Sequence, residues 1–221
     1  MYSLCIDTSN QPISVSLMKE GYVLNTHTSS IKRNHSVQLM PLIESLLKEA
    51  DILPNALTDI IVAKGPGSYT GLRIGVTTAK TLAYTLNLNL YGVSSLKALA
   101  ATTDETDCWI VPIIDARRHY VYAGIYQWQN GELIAIMEDQ YVALETLLEK
   151  LNQASKVVLV GRDVLQFDDL SHFDKKLNLP QAEKMDALKG EPVTIHSFVP
   201  EYLKLSEAEQ NWLNQQQSNS N

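Results

Sequence analysis

Much of what this 221-residue sequence excludes follows from what it lacks. No stretch approaches the ~18 consecutive apolar residues that a membrane span needs. No leader is expected, because Asp7 interrupts the first apolar run and no basic region precedes it. Cysteine is nearly absent. Cys5 and Cys108 lie in separate strand-like runs, form no framework and fit buried thiols in a reducing compartment, so the expected location is cytoplasmic. Positive charge is thin: 18 Lys and Arg stand against 25 Asp and Glu, a net charge of −7. With no basic cluster to neutralise phosphates, RNA would be met only through another subunit.

Catalytic residue types in usable spacing are missing as well. The five histidines, His27, His35, His119, His172 and His196, never stand three to five residues apart, and no Cys-x-x-Cys or His-x-x-x-His pair exists to hold a metal. G-x-S-x-G is absent, which leaves Ser68 without an arguable base. No catalytic residue, no metal site and no cofactor is expected.

What the chain does contain is an orderly alternation. Segments 3–7, 12–18 and 22–28 read as strands. A helix follows, with apolar positions at Leu39, Leu42, Ile43, Leu46, Leu47 and Ala50, Asn34 or Ser36 as its cap, and Pro41 predicting a kink or a later start. At 100° per residue those positions span roughly 160°, wider than one contact surface requires, so the helix either meets a second surface or is sunk deeper in its own core. Segment 59–64 is a strand. The helix after it, about Thr70 to Asn87, carries Gly71, Gly75, Ala79 and Ala83 on its core face. Its other face presents Arg73, Thr77, Lys80 and Tyr84, either solvated or touching a partner.

A strand at 88–93 and a short helix at 94–101 lead to an acidic stretch that marks a boundary near residue 104. The second half then repeats the opening logic. Strands at 108–115, 119–128 and 132–137 precede a helix at 142–151 and a strand at 156–161. Residues 162–200 are irregular, 206–213 read as a last helix, and the polar end reads as disordered. The pattern predicts an α/β fold of two related lobes, each a mixed sheet flanked by helices. The expected units are an N-terminal lobe at 1–103, a smaller lobe at 104–199, a C-terminal helix at 200–213 packing back on the first lobe, and a tail at 214–221.

The segment Gly65-Pro66-Gly67-Ser68-Tyr69-Thr70-Gly71 invites comparison with nucleotide-binding loops. A phosphate loop needs Lys and a hydroxyl after its last glycine, and Leu72-Arg73 follow here. A dinucleotide fingerprint needs G-x-G-x-x-G, and this segment is one residue too long. Two uses remain open: an anion held by free N–H groups at a helix start, or a tight turn with no ligand. Asp7, with Thr8 beside it, and Asp115 occupy matching places after the first strand of each half. In actin-like kinases and ATPases such acids face the phosphates, so Asp7, Thr8 and Asp115 are the nucleotide candidates. Arg117-Arg118 and Gly161-Arg162 stand where that site would want glycines.

From GPGSYTGLRIGVTTAKTLAY the chain resembles the TsaB (YeaZ) family, a non-catalytic relative of TsaD in bacterial tRNA threonylcarbamoyladenosine synthesis. IDTS at 6–9, NHSVQLMPLI at 34–43, GVSSLKALA at 92–100, IDARRHYVYAGIY at 114–126 and PEYLKLSEAE at 200–209 extend the likeness. The resemblance implies a two-lobed actin-like (ASKHA, ribonuclease H-like) fold. It implies that the metal-binding His-x-x-x-His of the catalytic relative is replaced here by Ser95 and Leu99. It also implies pairing with a TsaD-like paralogue through the first-lobe helices, self-association through the same surface as a homodimer, and cooperation with a TsaE-like ATPase. The interface residues it points to are Leu39, Leu42, Ile43, Leu46, Leu47, Arg73, Thr77, Lys80 and Tyr84. The family glycine loop corresponds to Gly65, Pro66, Gly67, Thr70 and Gly71. The expected function is therefore a non-enzymatic scaffold for a threonylcarbamoyltransferase acting on the adenosine beside the anticodon, in tRNAs reading codons that begin with A. The rival reading is an actin-like small-molecule kinase or ATPase using Asp7 and Asp115.

Overall fold

A computed structural model describes residues 1–29 and 35–204. The first sheet is built from β1 (Tyr2–Asp7), β2 (Ile13–Lys19), β3 (Tyr22–Ser29), β4 (Asp59–Gly65) and β5 (Asn89–Ser94), in the order β3-β2-β1-β4-β5. β1, β2 and β3 pair antiparallel, while β4 and β5 continue the sheet in parallel. The second sheet uses β6 (Trp109–Asp115), β7 (Tyr120–Gln129), β8 (Glu132–Ala143), β9 (Val157–Val160) and β10 (Asp174–Lys176), in the order β10-β9-β6-β7-β8. Read from the other edge, this is the same order and the same pattern of pairing. The two lobes are topological copies, each a mixed sheet flanked by helices, which is the actin-like architecture. Among the described residues no helix is long and apolar enough to cross a membrane.

Helix α1 (His35–Glu49) and α2 (Tyr69–Leu86) cover one face of the first sheet. α1 turns Leu39, Ile43, Leu46 and Leu47 inward, and α2 turns Leu72, Val76, Ala79 and Ala83 inward, both at the helical period. Pro41 lies inside α1 without delaying its start. Ser36 is the second helical residue rather than the cap, and Asn34 lies outside the described residues. The other face of the first sheet meets α3 (Ser95–Ala100) and the turn at 182–188, through Cys5, Met18, Ile61, Ala63 and Val93 against Ala98, Ala182 and Met185.

α3 is covered on both sides. Ala98 packs on the first sheet, whereas Leu96, Leu99 and Ala100 pack with Ile110, Tyr126, Val158 and Val160 of the second. Helix α4 (Leu144–Leu151) and two short turns at 162–170 close the outer face of the second lobe. A six-residue helix in which five residues are buried is thus the packing layer between lobes.

Two expected boundaries move. α3 belongs to both lobes, and residues 182–188, expected in the second lobe, lie against β1, β2 and β4. From there the chain runs back across the first lobe, where the Val193 N–H donates to the Leu90 carbonyl at 2.8 Å and the Glu201 N–H to the Lys64 carbonyl at 2.7 Å. Residues 200–204 are not helical, and the helix expected at 206–213 and the tail at 214–221 lie outside the described residues. The irregular 162–200 stretch also contains β10, whose three residues gave too short a run for periodicity to register.

Leu96 is fully buried between the lobes. Leu96→Ala is expected to cost about 2–5 kcal/mol, because neither sheet can move in to fill the space. Urea unfolding midpoints of the variant and the wild-type chain check this.

Candidate functional site

The turn after β1 and the glycine loop after β4 are pressed together. The Ser68 N–H donates to the Ser9 carbonyl at 2.7 Å, and the Thr8 hydroxyl donates to the Gly71 carbonyl at 2.7 Å. A Cβ on Gly67 would overlap the Ser9 carbonyl oxygen, one on Gly71 the Thr8 carbonyl oxygen, and one on Gly75 the Thr8 hydroxyl. Gly65, at a φ of 120°, would meet the Glu201 carbonyl in the same way. Gly65, Gly67 and Gly71 are therefore required by backbone approaching backbone within the protein, and Gly75 by the Thr8 side chain. Ser68 caps α2 by accepting the Gly71 N–H at 3.2 Å.

Asp7 lies beneath this junction, 1% exposed. The Ser9 N–H and hydroxyl both donate to its Oδ1, at 2.9 and 2.6 Å. Burial nevertheless pushes the Asp7 carboxyl above its ordinary value, against those two hydrogen bonds and the nearby His35.

Between the lobes lies a cleft of about 730 Å³, walled by the glycine loop on one side and by Asp115, Ala116 and Arg117 on the other. Asp115 is half-buried. Its Oδ1 accepts the Arg117 N–H at 2.9 Å, and its Oδ2 stands 3.8 Å from the largely exposed Arg117 side chain. Three successive residues, Arg117, Arg118 and His119, hold positive φ values of 69°, 57° and 59°. The two acids expected to face a phosphate together do not. Asp115 lines the cleft, whereas Asp7 and Thr8 are sealed off by Ser9 and the glycine loop. Gly67, Thr70 and Gly71 do reach the cleft, while Gly65 and Pro66 are buried behind it. Among the described residues no group of three or more His, Cys, Asp or Glu could hold a metal ion.

The helix residues expected at a partner surface divide. Leu39, Ile43, Leu46 and Leu47 are buried in the first lobe's own core, with Leu42 half-buried against it, so the wide apolar arc is explained mainly by depth of packing. Ile43 and Leu47 also floor an open apolar groove of about 630 Å³ between α1, the turn at 54–56 and the end of α2. Its rim includes Met40, Pro41, Leu53, Leu82 and Leu86. Met40 and Leu53 are 48% and 69% exposed, and Val37, one turn before Met40, is 70% exposed. Val37 and Met40 are spaced three apart, a sequence signal weaker than the core stripe beside it.

The opposite face of α2 is held by the chain itself. Arg73 lies 4.2 Å from the Tyr69 ring centre and donates to the Tyr202 hydroxyl at 3.2 Å. The Lys80 ammonium donates to the His196 and Phe198 carbonyls at 3.1 and 2.6 Å, and Tyr84 meets the His196 ring edge-on. Thr77 is exposed. The returning C-terminal segment thus engages Arg73, Lys80 and Tyr84 within the chain, while Arg73 and Tyr84 stay exposed. No periodicity could have shown it, because the contacts come from more than a hundred residues away.

Gly71→Ala would normally favour a helix. Here it is expected to destabilise by about 1–3 kcal/mol, through the overlap with the Thr8 carbonyl, as read from urea unfolding. For Asp7, a raised folded-state pKa means the folded chain holds the proton more tightly, so this contribution is complete below the unfolded value of about 3.9 and is lost as pH rises through the folded one. Asp7→Asn should therefore gain stability relative to wild type between pH 4 and pH 7, measured as the difference in unfolding midpoints at each pH.

Residues 23–212 match the family model described as TsaD, tRNA N6-adenosine threonylcarbamoyltransferase. A Bacillus subtilis protein described as tRNA threonylcarbamoyladenosine biosynthesis protein TsaB is 40% identical, over 98% of this chain and 100% of that protein. Its Escherichia coli namesake is 29% identical over 92% of this chain and 95% of its own length. Among solved structures, YeaZ from Pseudomonas aeruginosa superposes with a TM-score of 0.75 at 28% identity, covering 91% of this chain and 99% of that one. A Pseudomonas aeruginosa protein described as similar to peptidase YEAZ gives 0.79 at 28% identity, covering 92% and 99%. With the duplicated sheets and the glycine junction, these likenesses establish that the chain belongs to the TsaB (YeaZ) family of tRNA threonylcarbamoyladenosine biosynthesis proteins.

Proposed function

We propose that this chain is a cytoplasmic, non-catalytic scaffold that binds and activates a TsaD-like threonylcarbamoyltransferase through the α1–α2 groove. The observation that carries the reading is that groove: apolar, open, and rimmed by Met40 and Leu53, large side chains left in water, with Val37 exposed one turn before Met40. A partner helix laid into it would bury Met40 and Leu53 over the Ile43 and Leu47 floor. The same surface would pair two copies of this chain when the partner is absent. A TsaE-like ATPase would act on the assembled pair, and tRNA would be met through the complex, consistent with a net charge of −7. The chemistry on the adenosine beside the anticodon, in tRNAs reading codons that begin with A, would belong to the transferase. Ser95 and Leu99, at the places where the transferase's metal-binding histidines are expected, are both buried against the core.

Met40→Glu and Leu53→Glu place a charge in the groove without touching the core. Each is expected to weaken capture of the TsaD-like partner by about 2 kcal/mol, roughly thirtyfold, measured by calorimetry with the purified homologue. In a reconstituted system, threonylcarbamoyladenosine formation should fall with it. Full modification activity with this chain left out would end the proposal.

A further inference from the structure

Asp139, on β8, lines neither the cleft nor the groove. Its carboxylate instead gathers two hydroxyls from different lobes. The Ser94 hydroxyl, at the end of β5 in the first sheet, donates to Oδ2, and the Tyr126 hydroxyl, on β7 of the second, donates to Oδ1. Ser94 has a second task. Its oxygen accepts the Lys97 N–H at 3.0 Å and so caps α3, the helix packed between the sheets. One carboxylate therefore joins β8 and β7 to the start of the interlobe layer.

The surroundings are shaped around this contact. The β7–β8 register shifts between Ala123 and Ile125, and a Cβ on Gly124 would come within 2.8 Å of both Asp139 Oδ1 and the Tyr126 ring. Tyr126 is 2% exposed, and burial together with Asp139 pushes its hydroxyl far up, so it stays a donor throughout the physiological range. Among the described residues, the charged groups facing Asp139 are Glu138 on its own strand and Glu201 on the returning C-terminal segment. Glu201 is in turn held by Lys64 of β4 at 2.8 Å. Burial outweighs the two hydrogen bonds and, with Glu201 and Glu138, raises the Asp139 carboxyl above its ordinary value.

We propose that Asp139, Ser94 and Tyr126 form a proton-responsive tie that sets one lobe against the other, tightening when the carboxyl is protonated and slackening when it ionises. The direction follows from linkage: an arrangement that binds a proton more tightly than water does is stabilised when the proton arrives. A protonated acid also keeps acceptor capacity for one hydroxyl while donating its own O–H to another oxygen. Ionised, the carboxylate gains most by exchanging the hydroxyls for water, which requires Asp139 on β8 to part from Ser94 at the end of β5. β8 then transmits the change to the cleft. Two residues beyond Asp139, Tyr141 stacks on Tyr120 at 4.7 Å and carries the Lys204 ammonium 5.3 Å from its ring centre. Lys204 and its neighbour Ala116 both line the cleft.

The test is interlobe energy transfer in the full chain, with dyes on Thr85→Cys of α2 and Glu149→Cys of α4. Both positions are exposed, and native Cys5 and Cys108 are buried. Wild type should show a transfer efficiency that changes with pH between 4 and 8. Asp139→Asn, a neutral mimic of the protonated acid, should hold the low-pH value throughout. Asp139→Ala and Ser94→Ala should hold the high-pH value, with circular dichroism confirming that they are folded. Glu201→Gln should move the wild-type transition to lower pH by removing a neighbouring negative charge. A wild-type efficiency that does not change with pH overturns the proposal. So does a transition that survives in Asp139→Asn, which would assign it to another group. Neither result bears on whether the α1–α2 groove binds a transferase.

Discussion

The contact on which the first lobe depends is backbone against backbone, where the turn after β1 meets the start of α2. Side chains at Gly67, Gly71 or Gly75 would push α2 off the sheet, and the Thr8 hydroxyl bridges the gap by donating to the Gly71 carbonyl. Once α2 is set at that distance, its row of small residues lies on β4, and α1 packs alongside through Leu39, Ile43 and Leu46. The groove between the two helices is what remains. A loop that resembles a phosphate cradle thus acts as a spacer, whose glycines fix where α2 lies on the sheet.

The second lobe repeats the strand order of the first, and α4 follows β8 as α1 follows β3, but α2 has no counterpart. Between β4 and β5 lies an 18-residue helix, whereas between β9 and β10 there are only two short turns. The cleft is accordingly asymmetric. One wall presents a helix start behind glycines, and the other presents Asp115, Ala116 and a left-handed run of Arg117, Arg118 and His119. What binds the copies into one body is α3, buried on both faces, together with the segment from 182 to 204 that returns to the first sheet. Polar links reinforce it, among them the Trp128 ring N–H donating to the Thr103 carbonyl at 2.9 Å.

Buried acids recur at the structural junctions of this acidic chain. Asp7 lies under the glycine loop and Asp139 at the interlobe helix, and burial raises both carboxyls. An ionised carboxylate withdrawn from water opposes folding unless its hydrogen bonds compensate. Here two donors each reduce that penalty without cancelling it. The positions are held for what they organise, a turn in one case and a lobe junction in the other.

Element order apart from β10, the duplication of lobes and the core stripes of α1 and α2 were legible in the sequence, because apolar periodicity and glycine spacing are local records of what a segment must bury. The glycine loop's failure as a phosphate motif was legible for the same reason: Leu72-Arg73 occupy the places a phosphate loop needs. Tertiary structure alone decided the rest. It sank Asp7 out of the cleft, gave both sides of α3 to different sheets, and brought His196, Phe198 and Tyr202 onto the face of α2 that periodicity left open. Periodicity shows that a face is covered but not by what. When the cover arrives from more than a hundred residues away, only the folded chain can show which face of a helix is still free for a partner.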